Sequence, residues 1–333
     1  MAVLVTGGAG YIGSHMAWEL LDAQEEVVIL DNLSTGHKWS VPAKARFVHG
    51  DIGDPRLLMR TMQRFDIDAI IHMAGSTIVP ESVSLPLAYY HNNTSKMRTL
   101  IEAAVSNSIK HFVFSSTAAV YGNVPPVPVT EDQVLNPESP YGRSKMMSEM
   151  ILQDAAAAHD FQYAVLRYFN VAGGDPDART GQSTPNATHL IKVACEAATG
   201  RRPHLSIFGT DYDTPDGTAV RDFIHVSDLV NAHKLALSHL RQSKENILAN
   251  CGYGSGFSVR DVVNVVEDVS GSYVRTLEEP RRPGDLESVV ANSDRLRGLL
   301  NWDPQFDDLN TIIAHALNWE RSLQQKADTR MAS

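Results

Sequence analysis

Through the first half of the chain, short runs rich in β-branched and other apolar residues alternate with longer stretches whose apolar positions recur at helical spacing. Strands are predicted at Ala2–Thr6, Val27–Asp31, Arg46–His49, Ala69–His72, His111–Ser115 and Tyr163–Tyr168. Helices are predicted at about Ile12–Ala23, Arg56–Phe65, Tyr89–Asn107 and Tyr141–His159, each opening near a Gly, Asp-Pro or Asn signal. Such alternation is the sequence form of an α/β fold with a doubly wound parallel sheet covered by helices on both faces. Met97, Leu100, Ile101, Ala104 and Val105 fall on one helical face, which is expected to pack on that sheet. After about Val171 the pattern changes. Gly173-Gly174-Asp175-Pro176-Asp177 opens a loop-rich region with Pro185, Pro203, Pro215 and Pro283 and shorter elements. Two domains are therefore expected, residues 1–170 and a smaller mixed α/β C-terminal domain over 171–333. Ala219–Ala236 reads as a strand followed by a helix, and about 219–240 is expected to pack back on the first domain. The polar tail after Ser322 is expected to fray.

Composition narrows the function classes. The 333 residues carry 29 Lys and Arg against 39 Asp and Glu, a formal charge of −10, with no basic run, so a phosphodiester backbone has no electrostatic footing here. At 43% apolar and 20% charged residues the chain is neither disordered nor fibrous. Cys195 and Cys251 are far apart and form no CxxC, which fits a reducing compartment and argues against a disulfide framework or a thiolate metal site. The 13 histidines form no HxxxH or HExxH cluster, so no metal is expected. Met1 leads straight into an apolar run without a basic n-region, and nowhere do about 18 uncharged apolar residues follow one another. A cytoplasmic protein without membrane association is the expectation.

Two constellations carry chemistry. Gly7-Gly8-Ala9-Gly10-Tyr11-Ile12-Gly13 sits between the first strand and the first helix, the context in which Gly7, Gly10 and Gly13 let a backbone approach a pyrophosphate at a helix N-terminus. Asp31 closes the next strand, eighteen positions after Gly13, where an acceptor for the adenosine ribose hydroxyls belongs in a Rossmann sheet. A carboxylate there repels a 2′-phosphate, so NAD is favoured over NADP. Asp51-Ile52, after the third strand, suits the adenine ring, although an Asp in a turn has an equally plain explanation. Tyr141 and Lys145 lie four apart at the start of a helix and project from one face. A phenol serving as a base near neutral pH needs its pKa lowered, which a fixed ammonium and a bound NAD⁺ would do together. Ser115-Ser116-Thr117 ends the intervening strand at the carboxyl edge of the sheet, where such sites form.

The stretches TGGAGYIG, SSTAAVYG, SPYGRSK, RYFNVAGG, VRDFIHVSDL and RRPGD, in this order between Val3 and Trp319, resemble the extended short-chain dehydrogenase/reductase superfamily and, within it, the UDP-glucose 4-epimerase family. The resemblance implies an NAD-dependent isomerase of carbohydrate and galactose metabolism that interconverts UDP-glucose and UDP-galactose through a 4-keto sugar, acting as a homodimer. Tyr141 would be the base, Lys145 its partner, and Thr117 a bridge between phenol and sugar oxygen. Cofactor contacts would come from Gly7, Gly10, Tyr11, Ile12, Gly13, Asp31, Asn32, Asp51, Ile52, Met73, Ala74, Gly75, Asn92, Ser115, Tyr141, Lys145 and Tyr168. On the substrate side, Arg221 and Arg282 would grip the diphosphate and Asp285 the uridine ribose; guanidinium forks suit that task. Asn170 would contact the sugar or diphosphate, Phe208 would lie against uracil, and the backbone at His189-Leu190 would read the base, although Asn170 and Phe208 read equally well as a strand-end cap and a core aromatic. The dimer contact is expected on the helices beginning near Tyr89 and Tyr141.

Ala118 and Ala119 stand where dehydratase relatives carry an acid–base pair, which disfavours elimination. Thr77 stands where bacterial epimerases carry a Lys toward the nicotinamide ribose. Val289 occupies a position at which the family has either a large Tyr or a smaller residue that admits an N-acetyl group. UDP-N-acetylhexosamines therefore remain an alternative substrate, as do a UDP-uronic acid or UDP-pentose, and a non-catalytic NAD-binding regulator is the alternative from outside enzymes.

Overall fold

The structure, a computed structural model, describes residues 1–123, 128–243, 245–282 and 285–331. Pro283 and Gly284 of the RRPGD stretch, and the last two positions of the expected 171–333 region, lie outside the described residues. The first half runs β1 (Ala2–Thr6), α1 (Tyr11–Asp22), β2 (Glu26–Asp31), β3 (Arg46–His49), α2 (Pro55–Arg64), β4 (Ile67–His72), α3 (Val79–Ser84), α4 (Pro86–Tyr89), α5 (Lys96–Ser106), β5 (His111–Thr117), α6 (Pro140–Ala158), β6 (Gln162–Tyr168) and β7 (Asn170–Ala172). Then follow α7 (Leu190–Ala198), β8 (Leu205–Phe208), β9 (Val220–Arg221), β10 (Phe223–His225), α8 (Val226–Ser243), β11 (Ile247–Cys251), β12 (Phe257–Ser258), α9 (Val259–Ser270), β13 (Thr276–Glu279), β14 (Ser288–Val289), α10 (Asp294–Leu300) and α11 (Leu309–Met331).

Seven parallel strands form one sheet in the order β11-β6-β5-β4-β1-β2-β3. The doubly wound α/β fold read from the sequence is the fold observed. Strands buried on both faces must be apolar on both. In β1, Val3 and Val5 join the core beneath α1 and α8 with Met16, Leu20 and Leu229. Leu4 turns to the opposite core, beneath α2, α5 and α6, with Leu58, Leu100 and Leu152. A third core, built from Ile191, Leu205, Val262, Val266 and Ile312, joins α7, α9 and α11 to the small strands of the second half.

Local chemistry fixes the helix starts. Pro55 and Pro140 occupy first turns, Asp54 accepts from Arg56 N and Leu57 N, and Ser139 accepts from Gly142 N. Ser258 and Asp261 close a reciprocal capping box on α9.

Three expectations change. First, the return to the central sheet runs beyond 219–240: α8 packs on α1, and β11 supplies the seventh strand beside β6. The strand at 223–225 pairs with β7 instead. A five-residue apolar run carries no mark of which sheet it will join. Second, the stretch expected as one helix from Tyr89 contains a π-helical segment, Tyr90–Ser95, between α4 and α5. There Asn92 donates to Ser76 Oγ, while Asn93 accepts from Ser76 N and donates to Ser76 O. These side-chain bonds account for the extra residue in the turn. Third, the chain after Ser322 continues as helix to Met331.

Candidate active site

The cradle begins at Gly7, whose φ of 72° is costly for any residue with a Cβ, and whose N–H donates to Leu30 O. A Cβ at Gly7 would also lie 2.7 Å from Ala74 N. Gly10 N donates back to Gly7 O, and α1 starts immediately after with no side chain capping it. A Cβ on Gly13 would sit 2.1 Å from Gly7 O, so only glycine lets the helix abut the turn. An uncapped helix start against a glycine turn is a pyrophosphate seat by construction. These residues fit a dinucleotide.

Asp31, almost fully buried, accepts from Ala9 N at 2.9 Å and from Leu33 N at 2.7 Å, which locks the loop after β2. Asn32 donates to Asp51, whose carboxylate also takes Lys96 Nζ at 2.6 Å and Gly53 N at 2.7 Å. Burial works to raise the Asp51 pKa, but those bonds outweigh it and hold it below the ordinary value. The plain turn role is thus present at Asp51; Ile52 beside it is buried. Tyr11 sends its hydroxyl to Gly173 O at 2.8 Å, so its side chain ties α1 to the second half and leaves only its backbone at the cradle, ahead of half-buried Ile12. Met73, Ala74 and Gly75 follow β4. Ser115 Oγ lies within hydrogen-bonding distance of both Met73 Sδ and His233 Nε2. Thr77 is exposed at the end of the Met73–Gly75 loop.

Three successive residues of β5 meet three successive turns of α6. The Thr117 hydroxyl hydrogen-bonds the Tyr141 phenol. The Ser115 carbonyl accepts from Lys145 Nζ at 2.9 Å. Ser116 Oγ donates to Glu149. Burial raises the Tyr141 pKa and the Thr117 bond opposes it, so the residues by themselves do not produce the lowered phenol expected from the sequence. Burial also lowers the Lys145 ammonium to about 8, with Glu149 working to raise it. Tyr168 is in register with Thr117 at the end of β6; burial and Tyr141 raise its pKa, and Ser115 opposes them.

On the far side, Asn170, His189 and Leu190 line one cavity with Gln182, Lys192 and Trp319. His189 Nδ1 lies 2.7 Å from Gln182 Nε2, and burial lowers its pKa. A second group gathers elsewhere: Arg221 pairs with Asp285 at 2.5 Å, and Val289 is in register with Arg221. The Arg282 guanidinium stands over the half-buried Phe208 ring, 3.8 Å from its centroid. Asn93, His233, Glu149 and Arg167 were not singled out from the sequence. A lone Arg inside the apolar run of β6 was the available signal, since an arginine there demands a buried partner. Among the described residues no cluster of His, Cys, Asp and Glu could hold a metal ion, and no helix is long and apolar enough to cross a membrane.

The Rossmann sheet and its glycine cradle define the class, a dinucleotide-dependent enzyme. Residues 3–252 match the model of the NAD dependent epimerase/dehydratase family. A UDP-glucose 4-epimerase of Azospirillum brasilense is 56% identical over 97% of this chain and 93% of its own length. The crystal structure of UDP-glucose 4-epimerase from Brucella ovis in complex with NAD superposes with a TM-score of 0.93 at 41% identity, covering 95% of this chain and 97% of that one. The UDP-Glc/GlcNAc 4-epimerase of Campylobacter jejuni gives 0.84 at 44% identity, covering 96% and 99%. The protein belongs to the NAD dependent epimerase/dehydratase family.

Proposed function

We infer that the protein is an isomerase that inverts C4 of a UDP-hexose, interconverting UDP-glucose and UDP-galactose, with NAD as cofactor and the UDP-sugar as substrate. The observation that carries the assignment of roles is the docking of α6 on the end of β5, which sets Tyr141 and Lys145 against Thr117 and Ser115 at the carboxyl edge of the sheet. Bound NAD supplies an acceptor, and later a donor, for the C4 hydride. Tyr141 takes the O4 proton as C4 is oxidised, and returns it once the 4-keto ring has presented its other face. Thr117 orients the phenol, and the Lys145 charge favours its ionised form. Asp31, the Gly7–Gly13 turn and the loop Met73–Gly75 hold the dinucleotide. Arg221, Arg282 and Asp285 hold the nucleotide of the substrate, which requires the Arg221–Asp285 pair to open and Arg282 to leave Phe208. A firm grip on UDP and a loose one on the hexose lets the ring turn.

The test is direct. The purified protein, given UDP-galactose, should produce UDP-glucose by its anomeric proton signal. Tyr141→Phe should lose about 10²–10⁴-fold in turnover while still binding NAD. Full activity in that variant would remove Tyr141 as base, and an unreactive wild type that binds NAD would favour a regulator.

A second reading, acceptance of UDP-N-acetylhexosamines, is supported by the small Val289 beside Arg221 and by the likeness to the UDP-Glc/GlcNAc 4-epimerase of Campylobacter jejuni. The division at 170/171 is proposed as a functional one, the first part for NAD and the second for the UDP-sugar. A homodimer in the cytoplasm completes the proposal. Val83, Leu85 and Leu87, with Met147 and Met150 on α6, leave an apolar surface open, and α3 and α4 pack on α6 beneath it.

A further inference from the structure

One turn past Lys145, α6 carries a buried carboxylate that the reaction as described does not use. Glu149 is 1% exposed; it accepts from Ser116 Oγ and binds Arg167 of β6 through two nitrogens, the closer pair 2.6 Å apart, with both side chains almost wholly buried. Arg167 reaches on to Tyr121 Oη at 3.0 Å, and Tyr121 donates to Asn250 of β11. A hydrogen-bonded chain thus crosses from α6 through β6 to the sheet edge. Ser116 lies between the two β5 residues that hold Lys145 and Tyr141, so the bond to Glu149 fixes the strand end on which both depend.

We propose that Glu149, held by Arg167, is a positioning residue for the catalytic pair: it clamps Ser116 and so the ends of β5 against α6, and it supplies the buried negative charge that faces Lys145. This rests on the reading of Tyr141 as base. Buried ion pairs with every lone pair satisfied are rigid, and their field is little screened. The surroundings of Lys145 otherwise offer no compensating anion among the described residues. His72 of β4 lies close enough for the two to disfavour each other's charge, Phe114 presents its ring, Asn93 and Ser144 are neutral, and Tyr141 is on the same helix. Burial pulls Lys145 toward neutrality, and Glu149 is the charge that opposes this.

The test separates charge from shape. Glu149→Asp retains the charge; Glu149→Gln retains the shape; Glu149→Gln with Arg167→Gln removes both charges, so that no unpaired guanidinium compromises folding. Each is loaded with NAD and its turnover of UDP-galactose followed from pH 5.5 to 9.5. In parallel, the Lys145 titration is read by NMR on protein labelled at lysine Cε, the signal assigned by its loss in Lys145→Arg. In both Gln variants the bell should narrow from its alkaline side, the alkaline limb and the Lys145 midpoint moving down by about one pH unit, a tenfold change in the charged fraction. The Asp variant should keep the wild-type limbs. A Gln variant whose rate falls evenly at all pH, with limbs and Lys145 midpoint unmoved, would reduce Glu149 to a structural residue and overturn the proposal. The lysine titration decides this even if wild type proves inactive on UDP-sugars, an outcome that would strike only the assignment of Tyr141.

Discussion

Replacing Gly13 by Ala sets two principles against each other. Helix propensity alone favours Ala by about 1 kcal/mol. The structure gives the opposite sign, because the new methyl carbon would stand 2.1 Å from Gly7 O and 2.8 Å from both Gly7 C and Gly8 Cα, all backbone atoms of the cradle. Relief requires α1 and the turn to separate by about 1 Å, at a cost near the upper end of overpacking, about 3 kcal/mol. The net loss is about 2 kcal/mol. If it falls on the NAD-competent geometry, affinity drops about thirtyfold. If it falls on the fold as a whole, the melting temperature drops by about 5 °C. Gly10→Ala is the control, since its Cβ would make a single close contact, 3.3 Å to the same oxygen, and its φ of −83° suits any residue. Calorimetric titration of NAD into nucleotide-free protein, with thermal unfolding of the same samples, measures both arms. A Gly13→Ala protein that binds NAD within about threefold of wild type and melts at the same temperature would refute the close-approach argument. So would a Gly10→Ala protein that behaves as badly.

Acid should unfold the protein through its buried histidines. Burial, chiefly, lowers His15 and His233 to about 4 and His72 to about 3, so each stays neutral in the fold while the unfolded chain takes up a proton below about pH 6.5. Stability present above pH 6.5 is lost as pH falls toward 4, by at most about 3 kcal/mol for each histidine; urea unfolding showing equal stability at pH 7 and 4.5 would refute this. Leu87→Glu with Val83→Glu should convert a dimer to a monomer by light scattering, with the secondary structure unchanged, because both side chains are largely exposed in the single chain. A dimer that survives would place the interface elsewhere. Val289→Tyr should lower the ratio of turnover on UDP-N-acetylgalactosamine to that on UDP-galactose by about tenfold, roughly the 1.4 kcal/mol of a steric misfit; an unchanged ratio would clear Val289 of a role in specificity.

The parts of the fold legible in the sequence are those governed by local period. The six predicted strands fall within two residues of β1 to β6, because an apolar run short enough to be a strand and flanked by helical spacing has few other readings. The π segment at Tyr90–Ser95 was not legible, since Asn92 and Asn93 bend the helix to reach Ser76, a partner in another loop. Strand β11 was missed for a related reason: Ile247–Cys251 has the right composition, but its place beside β6 is set by α8 crossing over α1, where Lys234 meets Glu19 and Arg241 bridges Glu25 and Asp68. At the site, spacing and strand order singled out Tyr141, Lys145 and the strand end Ser115-Ser116-Thr117, but not Glu149 or Arg167. Glu149 meets Ser116 and Arg167 only through the docking of α6 on β5 and β6, which is tertiary information.

The sheet explains why the cradle and the Tyr141–Lys145 pair, far apart in sequence, come to one edge. A parallel ladder carries every strand's carboxyl end to one edge, and the register here sets Thr6 beside both Leu30 and His72, and Thr117 beside Tyr168. The chain must cross over between neighbours, and between β1 and β4 the direction of winding reverses, which leaves a crevice above the strand ends. The turns after β1, β2 and β4 open at that crevice as the cradle, Asp31 and Met73–Gly75, while β5 and β6 end there in Thr117 and Tyr168. The buried Thr6–His72 hydrogen bond, 2.6 Å across the reversal, fixes the two strands whose loops Gly7 and Ala74 must nearly touch. Cofactor seat and catalytic strand are thus held in mutual register by the sheet itself. Within that frame, the local adjustment of the catalytic pair falls to the docking of α6, and so to Glu149 and Arg167.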